Sequence, residues 1–165
     1  MTKALVAYYS WSGNTAKVAR AIAAALSADV EEIREVKPRT GLFAFVRSAI
    51  EASRRKAAPI NAAETDAGKY DLVILGTPVW AGEMAPALRA YIEREKHNFK
   101  NVALFCTLGG ANGERALAGM RAASGRGPVA ELLIDASALK SGWRRQVHDF
   151  AQSLSAFDTR PKQTA

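Results

Sequence analysis

One cysteine, Cys106, and two histidines, His97 and His148, are all this chain has of the side chains that most often ligate metals or attack substrates. A lone cysteine excludes an intramolecular disulfide and fits a reducing, cytoplasmic setting. At a strand end it reads as a small buried hydrophobe. The histidines stand in polar or helical surroundings and read as surface residues. No metal spacing and no Ser/His/Asp set can be assembled. Long apolar runs are missing too: none approaches the roughly 20 residues of a membrane span, and Met1-Thr2-Lys3 enters the first strand without a signal-peptide pattern. Internal repeats are absent. Acidic residues are outnumbered, 16 Asp and Glu against 23 Lys and Arg, for a net charge of +7 and a pI near 9.8. That balance points to an acidic partner, an anionic ligand or a membrane surface, and says nothing of fold. The Arg and Lys are scattered without an aromatic platform, which argues against a nucleic-acid module.

What is present is ordinary for a globular protein: 165 residues, 48% hydrophobic and 24% charged. One core is expected, over residues 1–157, with a polar tail at 158–165. The chain is organised around Leu5-Val6-Ala7-Tyr8-Tyr9-Ser10-Trp11-Ser12-Gly13-Asn14-Thr15. An apolar run opens into a hydroxyl-, Gly- and Asn-rich turn. Val18, Ile22, Ala25 and Leu26 then recur at helical spacing. Strand, tight turn and helix N-terminus bring free backbone N–H groups together at the positive end of the dipole, a geometry that binds phosphate. Ser10, Ser12 and Thr15 add hydroxyls, and Gly13 permits close backbone approach. The bland alternative is a β-α turn capped by Ser12 or Asn14.

Taken in order, strands and helices alternate. Ala4–Tyr9 is a buried strand and 14–26 its helix. Val30–Val36 alternates Val30, Ile33 and Val36 with charged residues, a weaker strand nearer a sheet edge. After the loop Pro38-Arg39-Thr40-Gly41, the stripe Leu42, Phe45, Val46, Ala49, Ile50 predicts a second helix. It ends in Arg54-Arg55-Lys56, cations that answer the helix dipole or meet a partner. Residues 57–69 connect. Asp71–Gly76 is the central strand, Thr77–Gly82 its exit loop, and Pro86 opens a third helix carrying Leu88, Tyr91 and Ile92. Asn101–Thr107 is a fourth strand, leading into Leu108-Gly109-Gly110-Ala111-Asn112-Gly113. A fourth helix (Ala116, Leu117, Met120, Ala123) stops at Gly125-Arg126-Gly127-Pro128. Val129–Ile134 is a fifth strand, and Leu139, Trp143, Val147, Phe150 and Leu154 mark one long fifth helix.

Five β-α units predict a doubly wound α/β fold, a five-stranded parallel sheet with helices on both faces. Ligands then lie outside the carboxyl ends of the strands. The loops there after strands one, three and four are the richest in Gly, Ser and Thr, and should converge on one crevice.

Ser10-Trp11-Ser12-Gly13-Asn14-Thr15 resembles the phosphate loop of flavodoxins, with Ser for Thr at the first and third positions. Gly76-Thr77-Pro78-Val79-Trp80-Ala81-Gly82-Glu83-Met84-Ala85-Pro86 resembles the family's first flavin-ring loop, and Phe105-Cys106-Thr107-Leu108-Gly109-Gly110 the second. The likeness runs the length of the chain, and lack of an insertion in the fifth strand resembles the short-chain type. It implies strand order 2-1-3-4-5, bound FMN and electron transfer. It implies FMN contacts from Ser10, Trp11, Ser12, Gly13, Asn14 and Thr15, from Thr77, Pro78, Val79, Trp80, Ala81 and Gly82, and from Thr107, Leu108, Gly109 and Gly110. Trp80 is the implied ring stacker, and Trp11 either leans on the ribityl chain or faces solvent. Gly82, free to take positive φ, lets a neighbouring carbonyl turn toward flavin N5.

Two departures bear on function. The chain is basic where such flavodoxins are commonly acidic, so a redox partner with an acidic docking surface is expected. The second ring loop, Thr107–Gly113, carries no aromatic lid. Lacking a general acid or base, the site suits an electron carrier, with an FMN-dependent NAD(P)H:quinone reductase, a related flavodoxin-like oxidase or a flavin-free interaction module as rivals. A small-molecule quinone is the alternative partner. A receiver domain would need carboxylates where the chain has Tyr9-Ser10 and Gly76-Thr77. A nicotinamide-binding Rossmann domain would need Gly-x-Gly-x-x-Gly at 10–15. Neither pattern is there.

Overall fold

The computed structural model describes residues 2–36, 50 and 57–158. The loop at 38–41, the Arg54-Arg55-Lys56 cluster and the tail beyond Asp158 lie outside the described residues, as does the second helix except for Ile50, which is helical and exposed. The described chain runs β1 (Ala4–Tyr8), α1 (Asn14–Leu26), β2 (Asp29–Glu32), β3 (Leu72–Trp80), β4 (Glu83–Met84), α2 (Pro86–Glu95), β5 (Val102–Thr107), α3 (Gly113–Ser124), β6 (Glu131–Ile134), α4 (Ala136–Lys140) and α5 (Trp143–Asp158).

Five parallel strands stand in the order β2-β1-β3-β5-β6, with the short β4 antiparallel to the end of β3. Counting the parallel strands alone, this is the 2-1-3-4-5 order expected. β1 and β3 pair Val6 with Ile74 and Tyr8 with Gly76, and β3 pairs Gly76 with Phe105 on β5. Their continuous apolar runs follow from burial on both faces. Alternate residues feed two cores. Leu5, Ala7, Val73 and Leu75 pack with Leu88, Tyr91 and Ile92 of α2 and Leu117 and Met120 of α3. Val6, Tyr8, Ile74 and Phe105 pack with Val18 and Ile22 of α1 and Trp143, Val147, Phe150 and Leu154 of α5.

Three boundaries differ from the sequence reading. β3 does not end at Gly76 but continues to Trp80, because Val79 and Trp80 pair with Met84 and Glu83 in a hairpin. The expected exit loop is therefore mostly strand, closed by the two-residue turn Ala81-Gly82. The edge strand ends at Glu32 rather than Val36, and along this segment the inward side is Glu31, Ile33 and Glu35, while Val30 and Val36 are exposed. Glu31 tolerates this because its Oε1 accepts the Glu64 N–H at 2.9 Å, a charge-assisted bond that offsets burial. The long fifth helix is two: α4 and α5 are separated at Ser141-Gly142, where Gly142 takes φ 97. That left-handed backbone cannot continue a helix, and Leu139 is left on the short piece.

Candidate functional site

The exit of β1 bends sharply into α1. Gly13 is the N-cap, at φ 91, a left-handed conformation that glycine adopts without penalty. Neither Ser12 nor Asn14 caps the helix. Ser10 does: its Oγ accepts the Ala16 N–H at 3.1 Å, reaching forward from the strand end. The Asn14 and Thr15 N–H groups have no protein partner among the described residues. Ser12, Gly13 and Asn14 are exposed and Thr15 is buried, so the open donors of the first turn lie at the rim of the loop.

The loops after β1, β3 and β5 meet. Thr15 Oγ1 and Thr107 Oγ1 lie 2.7 Å apart in a buried hydrogen bond joining the first loop to the third. The Tyr9 N–H donates to the Gly76 carbonyl at 3.1 Å. Trp80 stands edge-on to Tyr9, with ring centroids 5.7 Å apart, and to Trp11 at 6.3 Å. A Cβ placed on Gly82 would sit 3.1 Å from Asn112 Cβ, which brings the second loop against the third. Gly76 has no room for any side chain, since a Cβ there would fall 2.0 Å from the Phe105 ring.

Within this cluster the side chains divide. Trp80 is buried at 6% exposure, and Trp11, at 41%, is the ring open to solvent. The Thr77 hydroxyl is committed to its own loop: it accepts the Ala85 N–H and donates to the Pro78 carbonyl, both at 3.0 Å. Pro78 and Val79 are half-buried, Gly82 and Leu108 buried, and Ala81, Gly109 and Gly110 exposed. Nothing comes within 4 Å of a Cβ on Gly109 or Gly110, so that loop leaves open space beside it. Ala81 at φ 51 and Gly82 at φ 76 give a two-residue hairpin turn with both central residues left-handed, the type I′ pattern. Glycine is at ease there; Ala81 is strained.

Sequence reasoning missed a charged cluster behind this turn. Glu83 is fully buried, with Arg115 Nε 3.1 Å from its Oε1 and Arg89 Nη2 3.5 Å from its Oε2. Arg115 comes from α3, so the ion pair ties the hairpin to the helix that follows the third loop. No spacing links the three residues; the one signal was a charged side chain, Arg89, within the apolar face of a helix. Cys106 and the histidines are as expected. The thiol is buried with its sulfur 3.5 Å from Met120 Sδ, and burial pushes its pKa far up, leaving it unreactive. His97 and His148 are exposed. No group of metal ligands occurs among the described residues, and none of their helices is long and apolar enough to cross a membrane.

A cleft of about 620 Å³ opens beside the first loop, along the outer face of α1, toward Glu32 at the end of β2 and Trp143 and Arg144 at the start of α5. Buried Tyr8 lies nearby. Its phenol pKa is pushed up by burial first and by the charge of Glu32 next, while Arg20 pulls the other way.

A doubly wound sheet in 2-1-3-4-5 order, with a helix-start donor cradle and two further loops gathered at the carboxyl ends of its strands, defines a flavodoxin-like flavoprotein fold. The chain belongs to the flavodoxin family, whose profile matches residues 3–131. It resembles the flavoprotein of Lactobacillus acidophilus NCFM solved in complex with FMN, at TM-score 0.70 and 23% identity over 87% of this chain and 99% of that one. It also resembles oxidised flavodoxin 2 of Bacillus cereus, at TM-score 0.62 and 21% identity over 94% and 98%. Among curated proteins it is 32% identical over 116 residues to an NAD(P)H dehydrogenase (quinone) of Afipia carboxidovorans. That match takes in 67% of this chain and 55% of the relative, so the chain spans about half the length of the enzyme it resembles.

Proposed function

We propose that this chain, with residues 1–157 as its functional unit, is a cytoplasmic FMN-binding electron carrier of the short flavodoxin type that docks an acidic redox partner. The observation that carries the reading is the first loop: Ser10 caps α1 from a distance and leaves the Asn14 and Thr15 amides open beside exposed Ser12 and Gly13. That cradle matches a phosphate monoester in charge and donor geometry. The Thr15–Thr107 hydrogen bond and the edge-on contacts of Trp80 hold the two ring loops at a fixed distance from it.

In this reading Ser10, Ser12, Gly13, Asn14 and Thr15 hold the phosphate, and Trp11 covers the ribityl chain. Pro78, Val79, Trp80, Ala81 and Gly82 border one side of the ring, and Thr107, Leu108, Gly109 and Gly110 the other. Thr77 acts through loop shape, since its hydroxyl is already bonded on both sides. FMN supplies one- and two-electron transfer. The protein binds it, excludes water from the buried side and fixes its polar edge against backbone amides. The test is a titration of the flavin-free chain with FMN and riboflavin. Charge-assisted hydrogen bonds contribute roughly 1.5–3 kcal/mol each, so riboflavin should bind at least about a hundredfold more weakly. Equal affinities would refute the phosphate cradle.

A second reading, an FMN-dependent NAD(P)H:quinone reductase, is favoured by the open space at Gly109 and Gly110, which gives a flat quinone a place against the ring. Saturable turnover of NADH or NADPH with a soluble quinone, without added reductase, would establish it over the carrier.

A further inference from the structure

The cleft along α1 is not part of the ring site. None of Thr77–Gly82 or Thr107–Gly110 lines it; it begins at Ser10 and Gly13 and runs the other way, to Glu32. Lys17, Arg20 and Arg144 project along its wall, and none of them has an ion-pair partner among the described residues. Two are held in place. Lys17 Nζ lies 5.1 Å, and Arg144 Cζ 4.6 Å, from the centroid of the Trp143 ring, which is itself buried in the core. Cations pinned on an aromatic face lose little freedom when an anion arrives. At the far end the carboxylate of Glu32 pairs through Oε2 with Arg34 at 3.3 Å, and Trp11 stands at the near end, 41% exposed.

We propose that this cleft is a second ligand site, for a nucleoside diphosphate such as ADP, beside the phosphate cradle. The proposal rests on the FMN reading only in placing FMN's phosphate in the adjoining loop. Three cations outnumber the one carboxylate, so the cleft carries the sign of charge that a diphosphate requires. The carboxylate of Glu32, at the end of the second strand, is an acceptor for the two hydroxyls of a ribose diol. With one face of the Trp11 ring on the ribityl chain, the other is offered to the base. The cleft's volume lies within the range of about 300–1,000 Å³ typical of small-ligand sites.

The test uses the FMN-loaded chain, its flavin followed by absorbance, titrated calorimetrically with ADP, AMP and inorganic pyrophosphate at one ionic strength. ADP should bind at least tenfold more tightly than either AMP or pyrophosphate, without releasing flavin. Lys17→Gln and Arg144→Gln should each weaken ADP about tenfold and leave the FMN dissociation constant within threefold of the parent. Glu32→Gln should remove any preference for ADP over 2′-deoxy-ADP. Three results overturn the proposal: no heat with ADP; pyrophosphate binding as tightly as ADP, which makes the cleft a general anion patch; or flavin release by ADP, which puts ADP in the phosphate cradle. A chain that binds no FMN fails the function proposed above, while ADP binding abolished by Lys17→Gln would still establish the cleft. If the parent chain binds no ADP but the variants alter salt-dependent electron exchange with an acidic protein, the surface belongs to that partner and the nucleotide site is refuted.

Discussion

Glu83 is a residue whose loss the structure makes costly. Its carboxylate is fully buried between Arg89, a side chain only 10% exposed, and Arg115, which is 59% exposed. Replacing Glu83 by Ala removes the negative charge that faces the nearly buried Arg89 guanidinium. Breaking a buried pair in this way costs about 3–5 kcal/mol, most of it the desolvated charge left behind. For a chain of this length the unfolding entropy converts that into a fall in melting temperature of roughly 9–14 °C. Arg115→Ala removes the half-exposed partner and leaves Arg89 facing the carboxylate, so it should cost less than Glu83→Ala. The decisive variant is Glu83→Met with Arg89→Met. If the stranded charge is the cause, the double variant recovers most of the loss, because two apolar side chains of similar volume fill the same space. Urea unfolding of the flavin-free chain, followed by far-ultraviolet circular dichroism, gives all four values. A Glu83→Ala loss below 1 kcal/mol, or a double variant less stable than Glu83→Ala alone, would refute the reasoning.

Further outcomes follow from the same geometry. Gly76→Ala forces a methyl into the Phe105 ring and should cost at least about 1–3 kcal/mol, measured by the same unfolding; an unchanged midpoint would mean that the ring moves freely. Ala81→Gly relieves a left-handed alanine at φ 51 and should stabilise by about 0.5–1 kcal/mol after the extra freedom of glycine in the unfolded chain is counted, whereas Ala81→Val should destabilise. Ser10→Ala removes the cap on α1, costs about 1 kcal/mol of stability, and lowers FMN affinity without changing riboflavin affinity. Tyr70, whose hydroxyl donates to Asp29 Oδ2 at 2.7 Å, has its pKa pushed up to about 12, by burial first and the Asp29 hydrogen bond next. The folded state therefore favours the neutral phenol: that contribution is complete below pH 10 and is lost as pH rises from 10 to 12, and Tyr70→Phe should flatten that decline.

Much of this protein was legible in its sequence because the deciding forces were local. The apolar runs of β1, β3 and β5 could only be strands buried on both faces, and the βα alternation then leaves few ways to wind a parallel sheet. The hydroxyls and Gly13 of the first loop announced a helix start with open donors, and the chain's order put three polar loops at one sheet edge. What tertiary structure alone decided are contacts between residues far apart in the chain. β3 runs on through Trp80 because Glu83 and Met84 are there to pair with it, which no pattern within Thr77–Gly82 could show. Trp80 is buried because Tyr9 and Trp11, some seventy residues earlier, meet its ring. Glu31 rather than Val30 faces inward because a distant amide, that of Glu64, satisfies it. Periodicity records which side chains avoid water; it carries no record of which distant group will answer a buried charge, and that answer is set only when the sheet and helices close.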